Sequence, residues 1–141
     1  MVILDTDALS IFFMEEDPLL PHLEARLERE PEPNRISTVV CVQEAVGGWL
    51  SYINAARTAA KLFRGYDRLR RAVRNCSSME VLPYDEAAHE LFGSLRTTCR
   101  RINTMDLRIA CIALVHNATL LTRNVRDLRQ VPGLTVEDWS R

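Results

Sequence analysis

The sequence is almost without lysine: Lys61 is the only one among eighteen basic residues, and the rest are arginine. Paired cysteines are also missing. Cys41, Cys76, Cys99 and Cys111 form no C-x-x-C unit, so the usual zinc-ligand spacing is absent. Four reduced thiols in or near the core are expected instead, in a cytosolic protein. No apolar run approaches the ~20 residues of a membrane-spanning helix. No basic segment followed by an apolar stretch opens the chain, so no secretion signal is expected. Repeats and low-complexity segments are absent as well. With 47% hydrophobic and 26% charged residues, the composition fits one ordinary folded domain over residues 1–141.

The net charge of -1 hides an asymmetry. Residues 1–56 carry ten acids and three bases, whereas residues 57–141 carry nine acids and fifteen bases. An acidic zone facing an arginine-rich zone in one domain would suit a phosphate-bearing partner, since the guanidinium binds phosphate in a bidentate, planar manner. Arg64, Arg68, Arg70, Arg71 and Arg74 lie within one helical stretch. Arg68, Arg70 and Arg71 in particular form a candidate ridge for a phosphate backbone, or else a solvated helix face.

Short apolar runs alternate with helical patterns. Val2–Asp5, Arg35–Val40, Met79–Pro83, Ala118–Thr122 and Leu134–Val136 read as strands. Pro18–Glu30 places Leu19, Leu20, Leu23 and Leu27 at helical spacing. Val42–Asn75 holds two helices, Asp85–Arg101 another, and Met105–Asn117 a short apolar one. Pro31-Glu32-Pro33-Asn34 is the clearest breaker cluster. This alternation predicts an α/β fold, a mostly parallel central sheet covered by helices on both faces. Active sites of such sheets gather beyond the carboxyl ends of the strands, where strand order switches.

Acids stand at those positions. Asp5 and Asp7 follow the first strand, and Glu44 follows the second. Asp106 opens the helix before the fourth strand, and Asn124 and Asp127 follow that strand. Each has a bland explanation. Asp5 could cap a helix over Ala8–Phe13. Glu44 could be a first-turn acid, as could Asp106 after a Thr104 cap. Asn124 and Asp127 could cap a last turn. As a set they describe a carboxylate cluster that needs a cation, because two like charges ~4 Å apart repel by about 4 kcal/mol at an effective dielectric near 20. Mg²⁺ or Mn²⁺ prefers such oxygen ligands. His22, His89 and His116 lie in helical stretches away from the strand ends and are not expected to act as bases.

The chain resembles PIN-domain nucleases, most closely the VapC-type toxins of prokaryotic toxin–antitoxin pairs. The motifs are Val2-Ile3-Leu4-Asp5-Thr6-Asp7, Ser37 through Glu44, Met105-Asp106-Leu107-Arg108-Ile109-Ala110, Leu121 through Leu128, and the closing Val131 through Trp139. The resemblance implies a three-layer α/β/α sandwich and Mg²⁺- or Mn²⁺-dependent cleavage of RNA. It implies Asp5, Glu44 and Asp106 as catalytic metal ligands, with Asp127 as the fourth acid and Asn124 assisting. Asp7 occupies a place usually held by Asn in the family, and Thr122 or Asn124 would orient a water or phosphate. The resemblance also implies a homodimer neutralised by a small antitoxin whose tail covers the active-site groove. Phe12, Phe13, Trp49 and Tyr52 are candidates for that groove, or for core. Two other readings stand beside this one: a noncatalytic α/β binding module, and a DNA-directed nuclease of the same fold.

Overall fold

The computed structural model describes residues 1–14, 16–31 and 35–140. Most of the breaker cluster at 31–34 lies outside these residues. Five short strands are described: β1 (Val2–Leu4), β2 (Ile36–Thr38), β3 (Glu80–Leu82), β4 (Thr119–Leu121) and β5 (Thr135–Glu137). Between them run α1 (Thr6–Phe13), α2 (Leu20–Leu27), α3 (Val39–Ala55), α4 (Ala59–Ser77), α5 (Glu86–Arg96), α6 (Thr104–Val115) and α7 (Val125–Leu128).

All strand pairs are parallel. β4 pairs with β1 on one side and β5 on the other, and β2 pairs with β3. β1 and β2 lie side by side, but no backbone ladder joins them. Ser37 Oγ instead donates to the Leu4 carbonyl at 2.8 Å. A side chain takes the acceptor that a ladder partner would use, so the single expected sheet is two adjoining parallel ladders, in the order β3-β2-β1-β4-β5.

The period-two alternation of strand side chains places core on both faces. Ile3 and Leu120 point into one apolar cluster, with residues of α3, α5 and α6. Val2, Leu4 and Leu121 point into the other, with Leu23 and Leu27 of α2 and with Trp139. Helix, sheet and helix thus form the layers of an α/β/α sandwich. All four cysteines are free thiols, and Cys41, Cys99 and Cys111 are buried. No described helix is long and apolar enough to cross a membrane.

Local chemistry moves several boundaries. The second strand ends at Thr38, not Val40, because the Thr38 hydroxyl accepts from Cys41 N (3.1 Å) and starts α3 there. Glu44 consequently sits in the second turn of α3, not the first. α3 and α4 are divided at Thr58, which caps α4 through Lys61 N. The two helices pack closely at the buried Gly65, where a Cβ would lie 2.6 Å from the Ile53 side chain. α5 stops at Arg96, whose guanidinium collects the carbonyls of Cys99, Arg100 and Ile102. Asn103, not Thr104, caps α6. α6 ends before Asn117, whose φ of 49° is a left-handed conformation that asparagine tolerates.

Candidate active site

β1 ends at Leu4, and the Asp5 amide still donates to the Leu121 carbonyl (3.1 Å). Asp5 is therefore held at the carboxyl edge of the sheet, beside the end of β4. It does cap α1, accepting from Ala8 N at 2.9 Å. The cap and the cluster are not alternatives, because only Oδ1 is used by the cap. Asp7 follows in the first turn of α1. Glu44 comes from α3 and Asp106 from the first turn of α6. These four carboxylates line one cavity of about 290 Å³, together with Thr6, Thr122 and Asn124, over a floor of Ile109, Leu120 and Leu128. No basic side chain lines it among the described residues.

Hydrogen bonds fix three of the four walls. The Thr6 hydroxyl donates to Glu44 Oε1 at 2.6 Å. The fully buried Thr122 hydroxyl accepts from Asn124 N (3.0 Å) and lies beside the Asp5 carboxylate on the same cavity wall. Asn124 Nδ2 donates to Asp106 Oδ2 at 3.4 Å. Burial pushes the Asp5 carboxyl up to about 6. Thr122 and the Ala8 amide oppose that rise, while the charges of Asp7 and Asp106 add to it. Asp106 is raised for the same reasons: burial first, then Glu44, with Asn124 opposing and Asp127 and Asp7 adding. Carboxylates held above their ordinary range by burial, and further by one another's charge, are poised to give up protons to a cation.

Among the described residues, no three His, Cys, Asp or Glu side chains converge as a ready-made ligand group. The acids stand on facing walls instead. Their donor chemistry is nevertheless all oxygen and anionic, which suits a hard divalent cation. Mg²⁺ typically keeps several waters, which can bridge it to carboxylates that do not themselves converge.

A family model for the PIN domain matches residues 2–134. The chain belongs to the PIN domain family. Ribonuclease VapC2 of Rickettsia felis is 32% identical over 69 residues, which are 46% of this chain and 52% of that protein. The tRNA(fMet)-specific endonuclease VapC of Salmonella typhimurium is 34% identical over 67 residues, 45% of this chain and 51% of that one. The chain thus spans about half the length of the curated relatives it matches. The solved structure of VapBC-1 from nontypeable Haemophilus influenzae shares the fold over 100% of both chains, at a TM-score of 0.78 and 22% identity.

In this PIN domain the remaining candidates are dispersed. Asp127 is exposed on α7, outside the cavity lining, though its charge is felt by Asp106. Asn124 is the residue of that pair on the cavity wall. The three arginines of the α4 ridge have different surroundings: Arg71 pairs with Asp67 at 3.1 Å, Arg70 is exposed, and Arg68 turns toward a second hollow. That hollow, about 260 Å³, shares Thr6 and Glu44 with the first and is walled by Phe13, Met14, Trp49 and Tyr52. Phe12 is not part of it; its ring lies under the Arg35 guanidinium, 4.6 Å away. None of His22, His89 or His116 lines the carboxylate cavity. Thr6 is the site residue that sequence reading passed over. Its only signal was its place between Asp5 and Asp7 at the strand end.

Proposed function

We propose that this PIN domain is a metal-dependent endoribonuclease, the toxin of a type II toxin–antitoxin pair. The observation that carries the proposal is one cavity at the carboxyl edge of the sheet, walled by Asp5, Asp7, Glu44 and Asp106 and, among the described residues, without a basic lining residue. The names of the relatives, ribonuclease and endonuclease, agree with it.

Asp5, Glu44 and Asp106 are the residues assigned to hold Mg²⁺ or Mn²⁺. Asp127 is assigned as the fourth acid with Asn124 assisting, a choice supported by the charge that Asp127 imposes on Asp106. When bound, such an ion activates a water and stabilises charge on the scissile phosphate. The protein's own work is orientation. Thr6 holds Glu44, the Ala8 amide holds Asp5, and Asn124 holds Asp106, so each carboxylate keeps one direction. Asp7, exposed at the rim, adds negative charge that draws in a cation. Asn124, on the wall, is also placed to hydrogen-bond a phosphate oxygen.

The second hollow suits the partner. Its walls of Phe13, Met14, Trp49 and Tyr52 are apolar, and it opens directly onto Glu44. An antitoxin tail seated there would cover the active-site entrance. A homodimer in a reducing, cytosolic setting completes the proposal, and the four free thiols support that setting.

The test is cleavage of matched RNA and DNA strands with Mn²⁺ by the native chain and by Asp5→Asn and Asp106→Asn, with circular dichroism on each. RNA cleavage by the native chain and its loss in both folded variants is expected. Full activity in a folded variant removes that residue from the site. Cleavage of DNA alone replaces the substrate, and no metal response at all returns the chain to a binding module.

A further inference from the structure

Five arginines stand on the side of the cavity away from α1 and α3. Arg100 and Arg101 lie in the loop between α5 and α6, Arg123 lies before α7, Arg126 is in α7, and Arg129 follows it. All five are exposed. Arg26 and Arg71 are tied to carboxylates, but among the described residues none of these five has a carboxylate within salt-bridge distance. Arg100 Nε donates to the Thr97 carbonyl (3.1 Å), which braces the side chain and leaves its terminal nitrogens free of that bond.

The short segment around α7 joins this basic surface to the acids. At one end, Asn124 and Leu128 line the carboxylate cavity. At the other, Gln130 lines a surface hollow of about 370 Å³ with Arg100 and Arg101. Arg126 lies at i and i+3/i+4 spacing from Arg129 and Gln130, so these side chains share a face of the turn. Arginines therefore lead from the hollow to the residue beside Asn124, interrupted in charge only by Asp127. The opposite rim carries Asp7 and Glu44 and then the apolar hollow, where Arg68 is the one basic lining residue among the described residues.

We propose that Arg100, Arg101, Arg123, Arg126 and Arg129 form the track along which the phosphate backbone of a single RNA strand enters the carboxylate cavity. The proposal rests on the ribonuclease reading above and adds the path of its substrate. A polyanion crossing this surface meets five guanidinium groups that form no ion pair among the described residues, with Asp127 as the acid among them, and guanidinium groups take phosphate oxygens in pairs. The track ends where the scissile phosphate must sit, at Asn124 and Asp106. An acidic peptide would meet the same arginines but would then face four carboxylates, which favours the longer, metal-bridged polyanion.

The experiment measures binding of a labelled single-stranded RNA to the full chain carrying Asp106→Asn, in Mn²⁺, across a salt series. Arg101→Gln, Arg126→Gln and Arg129→Gln are then added together. Each phosphate contact on a single strand contributes roughly 0.7 to the slope of log affinity against log salt. The triple change should weaken binding and lower that slope by about 2, and the corresponding Arg→Lys changes should keep most of the slope. Arg70→Gln with Arg71→Gln on α4 should leave it unchanged. An unaltered slope in the folded α7 variant, or a loss confined to the α4 variant, overturns the track. Cleavage of the same RNA by the chain without Asp106→Asn is read separately. If that chain cleaves RNA while the α7 variant binds normally, the track alone is wrong. If it neither cleaves nor binds RNA, the ribonuclease reading fails and the track falls with it.

Discussion

Thr6 and Glu44, separated by 38 residues, are joined by a 2.6 Å hydrogen bond between the start of α1 and the second turn of α3. The bond crosses the boundary shared by the carboxylate cavity and the apolar hollow. It holds the Glu44 carboxylate in one direction without neutralising it. Thr6→Val should release that carboxylate and weaken Mn²⁺ binding by roughly tenfold, the lower end of the usual effect of removing a partner that orients a metal ligand. Thr6→Ser keeps the hydroxyl and should restore most of it. Titration of the thermal shift with Mn²⁺ reads this directly, and an identical titration for Thr6→Val would show that Glu44 needs no such support.

Asp106 offers a test with opposite signs for its two possible roles. Its carboxyl is raised by burial and by Glu44, so ionised Asp106 destabilises the metal-free fold. Asp106→Asn should therefore raise the melting temperature in chelator and shrink the gain on adding Mn²⁺, a gain that arises because the ion binds only the native state. A purely structural first-turn acid predicts the reverse: a loss of ~0.3–1 kcal/mol with or without metal. Thermal melts of both proteins, in chelator and in Mn²⁺, decide between them.

The pH dependence follows from Asp5. In the fold its carboxyl is raised from 3.8 to about 6, so between these values the native state binds more protons than the unfolded chain. Stability of the metal-free protein should fall as pH rises through that window, by roughly 2–3 kcal/mol from this group. Asp5→Asn should abolish this contribution while keeping the α1 cap, since Asn caps as well as Asp. Comparing the two by urea denaturation from pH 4 to about 7 cancels carboxylates remote from Asp5, such as Glu137, which Arg26 holds below the usual range. Parallel curves would place Asp5 in an ordinary solvated setting.

Away from the site, Arg26 binds both oxygens of Glu137 through Nε (2.7 Å) and Nη2 (2.6 Å), and Glu30 through Nη1 (2.7 Å). This ties α2 to β5 at the edge of the sheet. The Glu137 side chain is 43% exposed, so the pair should contribute only about 1 kcal/mol. A double-mutant cycle with Arg26→Ala and Glu137→Ala should return that coupling, reduced in high salt. Activity should not change, because neither residue lines the carboxylate cavity.

What the sequence determined by itself was local and periodic. Alternation of apolar runs with helical spacing was enough for the parallel α/β sandwich, because backbone conformation and buried faces follow from neighbours a few residues apart. The positions of Asp5 at the end of β1 and of Asp106 in the first turn of α6 were legible for the same reason, whereas Glu44 lies a turn deeper in α3 than the spacing suggested. The tertiary structure decided what no spacing contains. Ser37 replaces a backbone ladder between β1 and β2, Thr6 reaches Glu44, and Asn124 faces the cavity while Asp127, three residues on, faces solvent. The arginines of α4 go to different surroundings, whereas Arg100 and Arg101 of the α5–α6 loop line one hollow with Gln130, the residue after Arg129. These outcomes depend on which side chains meet across space once the helices dock. One turn of a helix, or one hydroxyl taking a carbonyl, changes them without altering any periodicity along the chain.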